Sequence, residues 1–374
     1  MDKSEYTYYM ALAHAELSTT KQKNEILVAC FHRNESLIDF YAASEHEWRD
    51  MYQLNLTAKD VDALNKSKAE LANNSFSAEN LLAQGYDLIP VTSPEYPRAL
   101  KKHLKYNSPI LLYTKGNRSL LSKECVAIVG SRKAQGISLT FTDNVAAKAV
   151  NSNRVVVSGY AKGVDRQAYD SAIKYGGSSI IVLPQGIMTF SSASLHKPIV
   201  NGNLLVMSYF SPRAPWSVGL AMARNDVVYA MAETIYVAES SSKGGTYAGV
   251  TNGLKANRKI YIRWPEATEN NANRLLVDMG AVPVDIHGNE IDKIKTDNDD
   301  NISQQIRNRL SRCEMSTKEL SKAILSNEDE ASRQKIRMIL NSMDDIEKVG
   351  AGSRTKYRLK GVQGDLFIDT QSSD

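Results

Sequence analysis

Between residues 125 and 165 the chain twice passes from a short apolar run into a break of small residues, and no other stretch restricts its fold as much. Cys125-Val126-Ala127-Ile128-Val129 has the length and composition of a parallel strand buried on both faces, and it breaks at once into Gly130-Ser131-Arg132. A helix is expected over residues 138–151, where Phe141, Val145, Ala149 and Val150 form an apolar stripe. A second run, Arg154-Val155-Val156-Val157, breaks into Ser158-Gly159-Tyr160-Ala161-Lys162-Gly163-Val164-Asp165. In an open parallel sheet, ligands bind outside the carboxyl ends of the strands, beside the switch in strand order. Small residues at those ends let an anion approach backbone N–H groups at a helix N-terminus, and Arg132 and Lys162 supply positive charge. The stretch reads as part of a phosphate- or nucleotide-binding α/β domain.

The pattern continues downstream. Residues 179–183, 204–207, 234–238, 259–262 and 281–284 read as further strands, separated by helical segments. One of these helices is expected to open at Pro215 and to carry Arg224-Asn225-Asp226 in its middle; another starts at Lys243-Gly244-Gly245-Thr246. Upstream, residues 86–91 and 109–114 read as two strands packed on the edge of the same sheet, separated by the turn Pro94-Glu95-Tyr96-Pro97. The fold class is therefore α/β, a doubly wound parallel (extended Rossmann-like) sheet, over residues 84–284.

Residues 1–83 are polar-rich and helical by pattern, with Thr57 placed to cap a helix and Asp60 three residues beyond it. Leu17-Ser18-Thr19-Thr20 lacks the glycine of a DNA-gripping helical hairpin, so packing or partner docking is the expected role of this domain. Residues 285–301, rich in Asp, Asn, Lys and Gly, read as a linker. Over residues 302–360, three helices, the second capped by Ser316 with Glu319, precede a strand–turn–strand hairpin, which makes a winged helix. Its third helix carries Arg333, Lys335 and Arg337, and its wing Arg354, Lys356 and Arg358, interspersed with acids such as Glu328, Glu330 and Asp344. Residues 361–374 read as an unstructured tail apart from Leu366-Phe367-Ile368.

A formal charge of +4 over 374 residues permits nucleic-acid binding without demanding it. Cys30, Cys125 and Cys313 lie far apart with no paired spacing, so neither a zinc site nor a disulfide framework is expected, and the compartment suits a reducing cytoplasm. Residues 1–20 lack the basic and apolar regions of a signal peptide, and no apolar run approaches the ~20 residues that span a bilayer. No membrane partner is expected.

In order and spacing, residues 126–132, residues 158–165 and Gly176-Gly177 ahead of the next strand resemble the DNA-processing protein A (DprA/Smf) family. Pro94-Glu95-Tyr96-Pro97-Arg98-Ala99-Leu100, Pro109-Ile110-Leu111-Leu112-Tyr113 and Lys115-Gly116-Asn117 match that family's lead-in, so the resemblance covers residues 85–284. It implies a homodimer that binds single-stranded DNA and helps load a RecA-type recombinase during DNA uptake. By the same resemblance, Gly130, Ser131 and Arg132 line the pocket for the DNA backbone, and Ser158, Gly159, Lys162, Gly163 and Asp165 form the neighbouring loop. Arg224 and Asn225 match the first two positions of the family's Arg-Asn-Arg element, and Lys243, Gly244, Gly245 and Thr246 stand where members open a helix with a Ser-Gly-rich turn. The chain departs from the pattern at Lys162 (usually Arg), at Asp226 (the second Arg), at Tyr169 (usually His) and after Phe190, where Ser191-Ser192 replaces a Tyr-Pro element. Asp226 would put a negative charge across the pocket.

Other roles are open to several of these residues. Arg224 could pair with Asp226 or Glu239, Asp165 could cap the helix after Gly163, and Tyr160 or Tyr169 could stack bases. Gly244-Gly245-Thr246 faintly resembles the motif of the phosphoribohydrolases of this fold superfamily, but those need a carboxylate one turn after the threonine, where this chain has Gly249. No nucleophile–base constellation replaces it, so no catalysis, cofactor or metal is expected. The alternative to a DNA-binding role is a nucleotide-sensing regulator, in phage defence or toxin control, that uses the same pocket.

Overall fold

In the computed structural model, which describes residues 4–266, 269–350, 352 and 355–360, six helices precede the first strand. They are α1 (Glu5–His14), α2 (Thr20–Arg33), α3 (Leu37–Ala42), α4 (Glu45–Asp50), α5 (Ala58–Ala69) and α6 (Leu71–Ala83). Four of them open with a reciprocal cap, in which a Ser or Thr hydroxyl accepts the N–H three residues on and that residue's side chain returns to the cap N–H. Thr57 and Asp60 make one such cap, as their spacing predicts. Asp60 also accepts from the Ser18 hydroxyl at 2.8 Å and Gln22 at 3.0 Å, which ties the start of α2 to α5. Phe40, Tyr41 and Trp48 fill the interior, and the Trp48 indole N–H donates to the Phe40 carbonyl at 2.8 Å.

The chain then alternates strand and helix: β1 (Asp87–Pro90), α7 (Arg98–Leu104), β2 (Leu111–Gly116), β3 (Cys125–Val129), α8 (Ile137–Asn151), β4 (Val155–Ser158), α9 (Val164–Lys174) and β5 (Ser179–Val182). It continues with α10 (His196–Val200), β6 (Leu204–Ser208), α11 (Val218–Met231), β7 (Thr234–Val237), α12 (Gly245–Lys255), β8 (Ile260–Arg263), α13 (Asn273–Asp278) and β9 (Val282–Val284). The nine strands form one sheet in the order β1-β2-β6-β5-β4-β3-β7-β8-β9. From β6 to β9 every pairing is parallel, whereas β2 joins β6 and β1 joins β2 antiparallel, at the edge where the lead-in strands were expected. Strands β3 to β6 are buried throughout, which is why they read as unbroken apolar runs.

The strand order positions the site. From β3 the chain winds outward through β4, β5 and β6, then returns to lay β7 on the other side of β3. The loops leaving the carboxyl ends of β3 and β7 therefore diverge and leave a crevice between them. Helix α11 starts later than Pro215 suggests: Ser217 caps it, accepting the Leu220 N–H at 3.1 Å, and Pro215 and Trp216 remain in the preceding loop.

Met1–Trp264 with Asn271–Glu290 form one compact unit, and the residues from Ile291 onward belong to a second. The second begins with α14 (Lys293–Leu310), so helix already starts inside the stretch that composition marks as linker. It continues with α15 (Thr317–Leu325), α16 (Glu330–Asn341) and the antiparallel pair β10 (Ile346–Val349) and β11 (Lys356–Leu359), the element order of a winged helix. Ile306, Leu320, Ile336, Leu340 and Tyr357 form its core. Several of its cations are neutralised within the unit: Arg358 pairs with Glu347 at 2.6 Å and Arg337 with Glu330 at 3.0 Å. Arg354 and the tail at 361–374 lie outside the described residues.

Candidate functional site

Gly130 ends β3 at a point of close approach, where a Cβ would stand 2.7 Å from a Val164 methyl and 3.1 Å from the Glu239 carbonyl oxygen. The next residue stitches three elements together. The Ser131 N–H donates to the Glu239 carbonyl after β7 at 2.9 Å, and the Ser131 carbonyl accepts the Val164 N–H at the start of α9 at 3.3 Å. Gly163, at φ +77°, packs its backbone against Ser131 and Arg132, where any side chain would collide with main chain. The Ser131 amide is thus committed to the framework, and Arg132 projects into solvent.

The floor is built from the break after β4. The buried Ser158 hydroxyl donates to the Asp165 carbonyl at 3.1 Å, and the Asp165 carboxylate accepts the Gly159 N–H at 3.1 Å. Arg224, from α11, lies 3.7 Å from that carboxylate and donates to the Val182 carbonyl at 3.3 Å. Its guanidinium occupies the space that a Cβ on Gly159 would need. Burial pushes the Asp165 carboxyl up, against Arg224 and the Gly159 and Ala161 amides, which hold it down. Burial likewise lowers Arg224, with Asp165 opposing and nearby Arg132 reinforcing the shift. Arg224 therefore pairs with Asp165, rather than with Asp226 or Glu239, and Glu239 accepts the Ser138 hydroxyl at 2.8 Å.

The third wall is the start of α12. Gly244 precedes it at φ +98° with no side-chain cap, so the positive end of the helix faces the crevice with its first N–H groups. The bare Cα of Gly245 admits Asn225, whose amide nitrogen lies 2.8 Å from where a Cβ would be.

Together the loop after β3, Asp165, Arg224, Asn225 and the run Lys243 to Thr246 line one cleft of about 490 Å³. Gly159 and Lys162 line an adjoining recess of about 310 Å³, which shares Arg132 and Arg224 with the first. Ser158 and Gly163 line neither and instead shape the walls. Among the described residues, the side chains of Arg132, Lys133, Lys162 and Lys243 have no hydrogen-bond or ion-pair partner, whereas Asp165, the one carboxylate lining the clefts, is engaged inward. The site is a cationic rim over a glycine-walled floor.

Two sequence expectations are corrected. Asp226 does not face this cleft; it faces a separate cavity on the other side of α11 with His14, Lys23 and Tyr209, because residues two apart on a helix point in nearly opposite directions. Tyr169 is buried in the core with its ring 5.1 Å from that of Tyr160, and has no face to offer a base. Tyr160 is half-buried at φ +56°, packed edge-on by Phe190 with the Arg166 guanidinium 4.8 Å over its ring. Lys133 and the half-exposed Trp216 line the clefts without having been singled out. The signal for Trp216 was a large aromatic set between a proline and a helix-capping serine, where packing does not require one.

The comparisons with known proteins agree with this architecture. A family model described as DNA recombination-mediator protein A matches residues 87–298. The chain is 29% identical over 159 residues to the DNA processing protein DprA of Streptococcus pneumoniae, covering 42% of this chain and 56% of that protein. It is 26% identical over 182 residues to the Bacillus subtilis DNA processing protein DprA, covering 48% and 60% respectively. The aligned stretch thus spans less than two thirds of either relative. The X-ray structure of the Streptococcus pneumoniae protein superposes with a TM-score of 0.55 at 21% identity, covering 76% of this chain and 95% of that one, a likeness of fold.

Proposed function

The chain belongs to the DNA recombination-mediator protein A family, and we propose that its β3–β7 crevice binds the sugar–phosphate backbone of single-stranded DNA, protecting the strand and presenting it to a RecA-type recombinase. The observation that carries this reading is the set of cations, Arg132, Lys133, Lys162 and Lys243, unpaired among the described residues and converging on a glycine-walled crevice whose one carboxylate among those residues already faces Arg224. Such an arrangement attracts phosphates without reading bases, because the groups that reach the ligand are charges and backbone N–H donors. Arg224 and Asp165 hold the loops at the right separation, and the start of α12 adds its dipole to the field.

A homodimer acting in the cytoplasm without catalysis completes the proposal, on the strength of the resemblance and of the missing acid at Gly249. No helix among the described residues is long and apolar enough to cross a membrane. A second reading has one observation in its favour: the main cleft, at about 490 Å³, has the size of a small-molecule site, as a nucleotide sensor would need. The chain's own acid at position 226, which would have favoured that reading, faces elsewhere.

Calorimetric titration of the full chain separates the two. Oligo-dT is expected to bind, with thymidine and adenosine monophosphates binding far more weakly. Tight binding of a mononucleotide that excludes oligo-dT would replace the first reading with the second.

A further inference from the structure

Resting on the reading that the crevice holds a single strand, we propose that Trp216 is its base-stacking platform, the residue on which a nucleobase lies while the neighbouring phosphates contact Arg132 and Lys162. Trp216 lines both the main cleft and the adjoining recess, as Arg132 does, so it stands on the ridge a strand must cross to occupy the two. Trp216 is 49% exposed and, among the described residues, its indole has neither a ring contact nor a hydrogen bond. The other two tryptophans are accounted for by the fold: Trp48 is buried with its N–H on the Phe40 carbonyl, and Trp264 lies under the Arg274 guanidinium at 4.7 Å.

The backbone beneath Trp216 is held. Ser217 follows it as the cap of α11, with extended backbone and its hydroxyl on the Leu220 N–H. A ring on a fixed stem loses little freedom when a ligand covers it. Val218, 67% exposed, and Met222, 41% exposed, continue the apolar surface along the first turns of α11 toward the main cleft. Apolar surface beside unpaired cations matches the chemistry of a single strand, which presents an aromatic face and a phosphate at each step. Of the tyrosines that the sequence offers for this task, Tyr169 is buried, and Tyr160, half-buried where it lines the recess, is packed by Tyr169, Phe190 and the Arg166 guanidinium, which leaves Trp216 as the more exposed ring. Stacking on one ring is tolerant of base identity, so the strand would be gripped without sequence preference.

The test uses the full chain and oligo-dT, with binding followed by anisotropy and by tryptophan emission. On saturation the wild type is expected to show quenched emission. Trp216→Phe is expected to keep affinity within about threefold and to lose the quench, and Trp216→Ala to weaken binding by about 5- to 150-fold, the usual worth of one stacked base. A strand of the same phosphate count lacking bases is expected to bind wild type and Trp216→Ala equally. If Trp216→Ala binds oligo-dT like the wild type, or loses the abasic strand to the same extent, the stacking role is overturned while backbone binding stands. A Trp216→Ala variant that dissociates into monomers with unchanged DNA affinity overturns it in favour of a contact between copies. Failure of the wild type to bind any strand overturns the underlying reading instead.

Discussion

The Arg224 guanidinium lies 3.7 Å from the Asp165 carboxylate, with the two side chains 3% and 12% exposed, and the pair joins α11 to the first turn of α9. A buried pair of this kind contributes little net stability relative to an apolar substitute, yet removal of one partner leaves an uncompensated charge. Arg224→Ala is therefore expected to lower the unfolding free energy by about 3–5 kcal/mol, measured by urea denaturation. Gly159→Ala should act through the same contact, because its new methyl group lands on the guanidinium. The two substitutions share one interaction, so the double variant should cost clearly less than the sum of the singles; additivity would show that Gly159 and Arg224 act separately.

The rim cations should behave differently. Arg132 and Lys162 are exposed and bond to nothing else among the described residues, so Arg132→Ala and Lys162→Ala should leave the urea midpoint unchanged. Each should weaken oligo-dT binding. Because single-stranded phosphates release counterions with a slope near −0.7 per contact, each substitution should also flatten the plot of log affinity against log salt by about 0.7. A loss of affinity with an unchanged slope would mean that the residue shapes the loop and does not neutralise a phosphate.

Asp226 supplies the opposite control. Its carboxyl, at the solvent-open cavity behind α11 and away from the crevice, is pushed up by partial desolvation. Asp226→Asn should therefore leave oligo-dT affinity within about twofold, even though removal of a negative charge beside a phosphate site would normally strengthen binding. A tenfold gain in affinity would place that carboxylate within the reach of the bound strand.

The strands and breaks of the sheet were legible because a parallel strand buried on both faces must be apolar along its whole length, as Ile128, Val156 and Ile181 are. The glycine loops were legible for a related reason: Gly130 and Gly163 stand where main chains touch, and only glycine fits there. The direction of Asp226 was within reach too, since residues 224 and 226 cannot share a helix face, but resemblance to a three-residue motif treats neighbours in sequence as neighbours in space. What the pattern could not supply was tertiary choice. Asp165 and Glu239 are both carboxylates near strand ends, and only the crossing of α11 over β4 and β5 decides that the first of them receives Arg224. Likewise, residues 285–301 are poor in large apolar groups, which fits a linker but does not forbid the helix that begins at Lys293.

The cavity behind α11 makes stability sensitive to acid. The His14 Nε2 lies 2.6 Å from the Tyr113 hydroxyl, and the two rings stack with centroids 5.9 Å apart. Burial, reinforced by the nearby Lys23 ammonium, pulls the imidazole down to about 4 from its ordinary 6.5. Lys23 is itself lowered to about 8 by burial, and Glu16, Asp226 and Tyr209 line the same space. Between pH 6.5 and about 4 the unfolded chain takes up a proton at His14 that the folded chain refuses. The contribution is thus complete above pH 6.5 and is lost as pH falls through that window, by at most about 3 kcal/mol. His14→Gln keeps a hydrogen-bonding partner for Tyr113 and removes the titration. Urea-derived stability of wild type minus that of His14→Gln should therefore decline from neutral pH to pH 4 and be level above pH 6.5. A difference that stays flat across the acid range would mean that His14 takes up its proton as readily in the folded protein as in the unfolded one.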